Sequence, residues 1–265
     1  MEAKEEGMNK IVRAITLLLL VSTAPLAYAE DPDIAQIFTE KNLNGALVIS
    51  SLDGGTTYIH NEERAGARLV PASTFKILNT LIALEENAVA NEKEIIEWDG
   101  KDRELEAWNK DQSLETAFPA SCVWFYQELA KRVGTAKYER YLRETNYGNA
   151  NAGGELTTFW LKGDLKISAI EQVAFLKNIY RRKYPFRLSS YDILAKLMVV
   201  EQTPTRTVRA KTGWAQRPGV GWYVGYVESD GNVWFFATNI DVSKPEDNRL
   251  RQAVTYEALK LKGIM

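Results

Sequence analysis

The chain is poor in the two side chains that most often drive hydrolytic chemistry: it has one histidine, His60, and one cysteine, Cys122, in 265 residues. A lone cysteine rules out an intramolecular disulfide. Zinc sites draw mainly on several His and Cys ligands, and one of each leaves too few, so no metal is expected. A Ser-His-Asp triad would have to rest on His60. That residue follows the strand-like run Thr56–Ile59 and precedes the loop-like run Asn61–Arg64. The pattern predicts a solvent-facing histidine at a strand end, so a serine nucleophile here would need another base. An excess of positive charge is also missing: 33 Lys and Arg face 35 Asp and Glu, for a net charge of -2. That balance gives no electrostatic reason to expect a nucleic-acid partner.

No long membrane-spanning run is evident. Ile15–Val21 is apolar but falls short of the about 20 residues a span needs. It follows the basic start Met8–Arg13 and precedes Ala27-Tyr28-Ala29, a small-x-small cleavage pattern. Residues 1–29 therefore read as a signal peptide, with Met8 as an alternative start because Glu2–Glu6 is acidic for such a segment. The mature chain would begin near Glu30, in the periplasm or outside the cell, without a stable membrane anchor. An uncleaved anchor is the alternative.

Residues 30–265 read as one catalytic domain. Gly45–Ser50 and Thr56–Ile59 form a hairpin across Asp53-Gly54-Gly55. Helical patterns follow over Thr74–Glu86, Val123–Val133, Ala136–Glu144, Ser168–Arg181 and Ser190–Val200, with Gly134 as a helix stop. After Pro204 strands return at Thr205–Lys211, Gly221–Glu228 and Val233–Asp241, and Pro245–Lys262 closes as an amphipathic helix. The order predicts an α+β fold. An antiparallel sheet, flanked by N- and C-terminal helices, would come from about 30–70 and 204–265. An all-helical lobe, about 71–203, would be inserted. The cleft between lobes is the natural place for a site.

Four short motifs carry chemistry. Ser73-Thr74-Phe75-Lys76 sets a hydroxyl and an amine one turn apart on one helix face, at the positive end of the helix dipole. The same tetrapeptide also fits an N-cap serine with a surface lysine. The flanking Phe75, Ile77, Leu78, Leu81, Ile82 and Leu84 shift the balance. They make the helix look buried, and a buried unpaired lysine is costly. Lys211-Thr212-Gly213 falls at a strand end before Trp214, where a cation, a hydroxyl and a bare backbone suit an anionic substrate. Ser121-Cys122-Val123 puts another hydroxyl early in a helix, and a plain capping serine would look the same. Tyr147-Gly148-Asn149 reads equally well as a Gly-Asn turn.

In this order the four motifs resemble the penicillin-recognising serine enzymes, most closely the class D (oxacillinase-type) β-lactamases. Trp98-Asp99-Gly100, Trp108-Asn109, Phe159-Trp160-Leu161, Ile167-Ser168-Ala169, Gly221-Trp222 and Leu250-Arg251-Gln252 extend the resemblance over residues 40–262. It implies hydrolysis of β-lactam antibiotics, penicillins and oxacillin-type compounds among them, through a Ser73 acyl-enzyme, and hence resistance. It implies no cofactor, only carbon dioxide or bicarbonate to convert Lys76 to N6-carboxylysine, the general base for both half-reactions. Only a neutral amine carboxylates, and burial can lower a lysine pKa by roughly 3–5 units. By the same resemblance Trp160 steadies the carbamate and the N–H groups of Ser73 and Trp214 form the oxyanion hole. Ser121 shuttles a proton to the lactam nitrogen. Lys211, Thr212, Gly213 and Arg251 hold the substrate, although Arg251 also fits a surface charge on the last helix. Val123 and Leu161 screen the carbamate, and Tyr147 shapes the cleft. Partners are small β-lactams, and the chain is a monomer or a homodimer. Two other functions stay open: a β-lactam sensor acylated without turnover, and a penicillin-binding D,D-peptidase.

Overall fold

Strand β1 (Gly45–Ser51) sends Leu47 and Ile49 into one core and Ala46 and Val48 into the other. Both faces are covered, which is why the strand reads as a continuous apolar run instead of an alternation. The computed structural model describes residues 29–265; the expected signal segment before Ala29 lies outside the described residues. Helix α1 (Pro32–Glu40) comes first, with Asp31 accepting from the Ile34 N–H at its N-cap. β1, β2 (Thr57–His60) and the short α2 (Glu62–Gly66) follow. The middle of the chain is helical: α3 (Lys76–Glu85), α4 (Leu114–Ala117), α5 (Val123–Val133), α6 (Thr135–Glu144), α7 (Ala169–Tyr180) and α8 (Leu188–Leu197). Strands β3 (Val199–Gln202), β4 (Arg206–Ala215), β5 (Val220–Ser229) and β6 (Asn232–Asp241) precede the last helix, α9 (Leu250–Leu261).

The sheet runs β2-β1-β6-β5-β4-β3, every neighbouring pair antiparallel. Helices α1 and α9 pack together over one face, where Phe38, Val254 and Leu259 meet Leu47, Tyr223 and Phe236. The other face carries α7 and the remaining helices. This is the expected α+β arrangement. Among the described residues no helix is long and apolar enough to cross a membrane.

Several local expectations need correction. The helix expected over Ser190–Val200 ends at Leu197, and Val199–Gln202 forms the edge strand β3; the β-branched pair Val199-Val200 favours extended backbone. The inserted segment is also not wholly helical or separate, because α7 lies directly against β1, β5 and β6. Lys211-Thr212-Gly213 is interior to β4, not at its end, since pairing continues through Ala215 with Val220. Ser121 precedes α5 instead of sitting in it, at a left-handed φ of 55°. His60 is not solvent-facing: its ring lies 4.3 Å from Phe38 and its Nδ1 pairs with Glu30. The closing helix starts as a 3-10 turn over Pro245–Arg249.

Candidate active site

Ser73 sits in a 3-10 turn, Ala72–Phe75, that runs into the start of α3. Ala72 has φ 50°, a conformation that costs a residue with a Cβ about 1–3 kcal/mol and persists only where the surroundings enforce it. The surroundings are specific. Leu69 and Ile167 exchange backbone hydrogen bonds of 3.0 and 2.8 Å. The Trp222 indole donates to Val70 O at 2.9 Å. Gly213 presses against the turn so closely that a Cβ there would lie 2.9 Å from Pro71 O and 3.1 Å from Thr74 N. Gly213→Ala is therefore expected to destabilise the protein by about 1–3 kcal/mol through overpacking. Thermal melting should show this as a loss of roughly 3–10 °C, with slower reaction at Ser73.

Lys76 opens α3 and is fully buried. Its Nζ donates to Ser73 Oγ at 2.8 Å and lies 5.1 Å from the centre of the Tyr126 ring. Burial lowers its pKa to about 7, and the small opposing influence comes from Cys122. A large part of the amine is thus neutral near pH 7, as a base requires. The pocket below is aromatic: Trp160 stacks on Phe75 at 5.8 Å, and Tyr147 meets the same ring edge-on at 5.6 Å. The Trp160 Nε1–H is buried with no acceptor. An orphaned donor in a buried pocket needs a partner.

Three basic side chains converge beside Ser73, because Lys211 lies within electrostatic reach of both Lys76 and Arg251. Burial pushes the Lys211 pKa well down, and Lys76 and Arg251 lower it further. Burial likewise brings the Arg251 guanidinium to about 10. Its Nε is buried without a partner while its Nη1 pairs with Asn248. Among the described residues no carboxylate forms an ion pair with any of these three cations. Basic side chains gathered without a carboxylate partner attract an anion.

The sheet edge supplies the rest. β3 pairs only with the first part of β4, up to Val199 opposite Arg209, and the Ala210 N–H still reaches Met198 O at 2.8 Å. Successive N–H groups of a strand alternate sides, so those of Thr212 and Trp214 point to the same edge. Among the described residues no strand covers it there. Lys211 Nζ donates to Thr212 O and Oγ1 at 3.1 and 3.3 Å, and lies 5.7 Å from the Phe118 ring just before Ser121.

The structure thus brings Ser73, Lys76, Lys211, Thr212, Gly213 and Arg251 together at one place. Trp160 lies beneath it. Val123 and Leu161 are half-buried neighbours of the buried Cys122 and Trp160. Tyr147 is fully buried, so it supports the site from behind without lining it. Sequence reasoning missed the buried polar groups around α3: Thr80 with Tyr126, Asn79 with Tyr138, and Gln172 with Thr74. The available signal was polar residues at buried helical spacing, as Gln172 is among Ala169, Val173 and Leu176.

A strained turn carrying Ser73, a buried and partly neutral lysine bonded to it, and a free strand edge beside Lys211 are the features of a penicillin-binding fold. The family model described as the penicillin-binding protein transpeptidase domain matches residues 41–260. The β-lactamase OXA-48 of Klebsiella pneumoniae is 40% identical over 230 residues, covering 86% of this chain and 87% of the relative. OXA-20 of Pseudomonas aeruginosa is 39% identical over 259 residues, covering 94% and 97%. Among solved structures, the class D β-lactamase FUS-1 (OXA-85) of Fusobacterium nucleatum subsp. polymorphum superposes with a TM-score of 0.87. It shares 36% identity and covers 89% of this chain and all (100%) of that one. The class D enzyme YbXI of Nostoc gives 0.85 at 38% identity, covering 88% and 99%. The chain belongs to the class D β-lactamase family.

Proposed function

We propose that Ser73 is the nucleophile and Lys76, as its carbamate, the general base of a β-lactam hydrolase. The observation that carries this reading is the buried, partly neutral Lys76 bonded to Ser73 Oγ at 2.8 Å. The residues present fit a carbamate: the amine can react, and among the described residues the buried Trp160 Nε1–H has no acceptor and no carboxylate is ion-paired to Lys76. Formed from carbon dioxide, the carbamate would supply a carboxylate-type base.

The chain's own groups do the remaining work. Ser73 Oγ attacks the lactam carbonyl, and the N–H groups of Ser73 and Trp214 receive the developing oxyanion. The C–N bond breaks as Ser121 passes a proton to the lactam nitrogen. Lys211, Thr212 and Arg251 hold the substrate carboxylate, Arg251 in bidentate fashion, with Gly213 letting the substrate approach the strand. Water then attacks the ester, and Ser73 recovers its proton. Val123 and Leu161 limit how water reaches the pocket. Penicillins and oxacillin-type compounds are the proposed substrates, met in the periplasm after export.

Class D relatives of 33–40% identity over most of the chain favour turnover over a sensor or a peptidase. Purified protein is expected to hydrolyse a chromogenic cephalosporin through many turnovers. A single stoichiometric burst would instead identify a sensor, and the hydrolase reading would fall.

A further inference from the structure

The turn that presents Ser73 depends on a side chain outside all four motifs. Thr74 Oγ1 donates to Pro71 O at 2.7 Å, closing the turn around Ala72 and Ser73. Gln172 Nε2, from α7, donates to that same Thr74 Oγ1 at 2.8 Å. A hydroxyl has one proton to give. With Gln172 donating to it, the Thr74 proton is free only for Pro71 O. Gln172 is fully buried on an otherwise apolar face of α7. Its other end is informative too. Gln172 Oε1 is buried without a partner, and so is the Tyr147 hydroxyl. One is an acceptor and the other a donor, and the Tyr147 hydroxyl faces both Gln172 and Thr74.

We propose that Gln172 is a positioning residue for the nucleophile. Backed by Tyr147, it locks the Pro71–Thr74 turn and keeps Ser73 Oγ at bonding distance from Lys76. It touches neither substrate nor base; it acts through Thr74. This rests on Ser73 being the acylated residue of a β-lactam hydrolase.

The test is stopped-flow acylation by a chromogenic cephalosporin, comparing the unaltered protein with Gln172→Leu, Thr74→Val and the double variant. Gln172→Leu should acylate about tenfold more slowly with the dissociation constant of the non-covalent complex unchanged, because the carboxylate site is elsewhere. The double variant should be no slower than the slower single one, since both remove the same link. Tyr147→Phe should cost about threefold. Should Gln172→Leu fail to fold, Gln172→Met keeps the volume and carries the same expectation. Acylation by a folded variant within twofold of the unaltered rate, or independent additive losses in the double variant, would overturn the proposal. An unaltered protein that does not turn over the cephalosporin would instead remove the hydrolase reading beneath it.

Discussion

With Lys76 replaced by methionine, β-lactam turnover will fall by about a thousandfold or more while the protein melts at a higher temperature at pH 6. The first effect follows from losing the base, a contribution of about 10²–10⁴ in rate. Any acyl-enzyme that forms will persist, visible as a stable mass adduct on Ser73. The second effect follows from linkage. Lys76 falls from 10.5 in the unfolded chain to about 7 in the fold. The unfolded state therefore binds the extra proton between those values, and stability rises with pH across that window. Below pH 7 the charged form burdens the native state by on the order of 5 kcal/mol. Methionine has similar volume and no charge, so it removes the burden without leaving a cavity. At roughly 2–4 °C per kcal/mol the gain is on the order of 10 °C. A lower melting temperature at pH 6 would mean that Lys76 is not a desolvated cation held for its chemistry.

Mild acid will switch the enzyme off, and bicarbonate will switch it back on. With a pKa of about 7, Lys76 is half neutral at pH 7. By the same titration about 90% is neutral at pH 8 and about 1% at pH 5. After carbon dioxide is stripped, kcat should fall roughly tenfold per unit below pH 7. Added bicarbonate should recover it by mass action. The loss belongs to kcat and not to substrate binding. Acid cannot remove positive charge from Lys211 or Arg251, so the carboxylate site keeps its cations. Rates measured across pH 5–8 with and without bicarbonate separate the two. Activity indifferent to bicarbonate after thorough decarboxylation would remove the carbamate from the mechanism.

Much of the fold was legible because its signals are local. β1 and β2 around Asp53-Gly54-Gly55, the helix stop at Gly134 and the turn between β5 and β6 are written in neighbouring residues. Errors came where neighbours decide. Val199-Val200 continues a helical pattern on paper, but β4 offers it a partner. Ser121 reads as a helix-capping serine, yet the cap of α5 is Cys122, and a left-handed backbone holds Ser121 outside. Gln172 looks like any polar residue on a helix until Thr74, distant in sequence, arrives beside it.

By itself the sequence determined which chemistries were open. One histidine and one cysteine removed zinc and made a histidine base implausible, and the ordered serine, lysine and glycine motifs pointed to acyl transfer. It could not decide whether Lys76 is a surface cation or a base. That is a property of surroundings: burial, with the Tyr126 ring beside the amine, and no carboxylate ion-paired to it among the described residues. Tyr126 comes from α5, and only the closed fold brings it over Lys76. A pKa is set by the dielectric and charges around a group, so the tertiary structure, and not the motif, lowers that of Lys76.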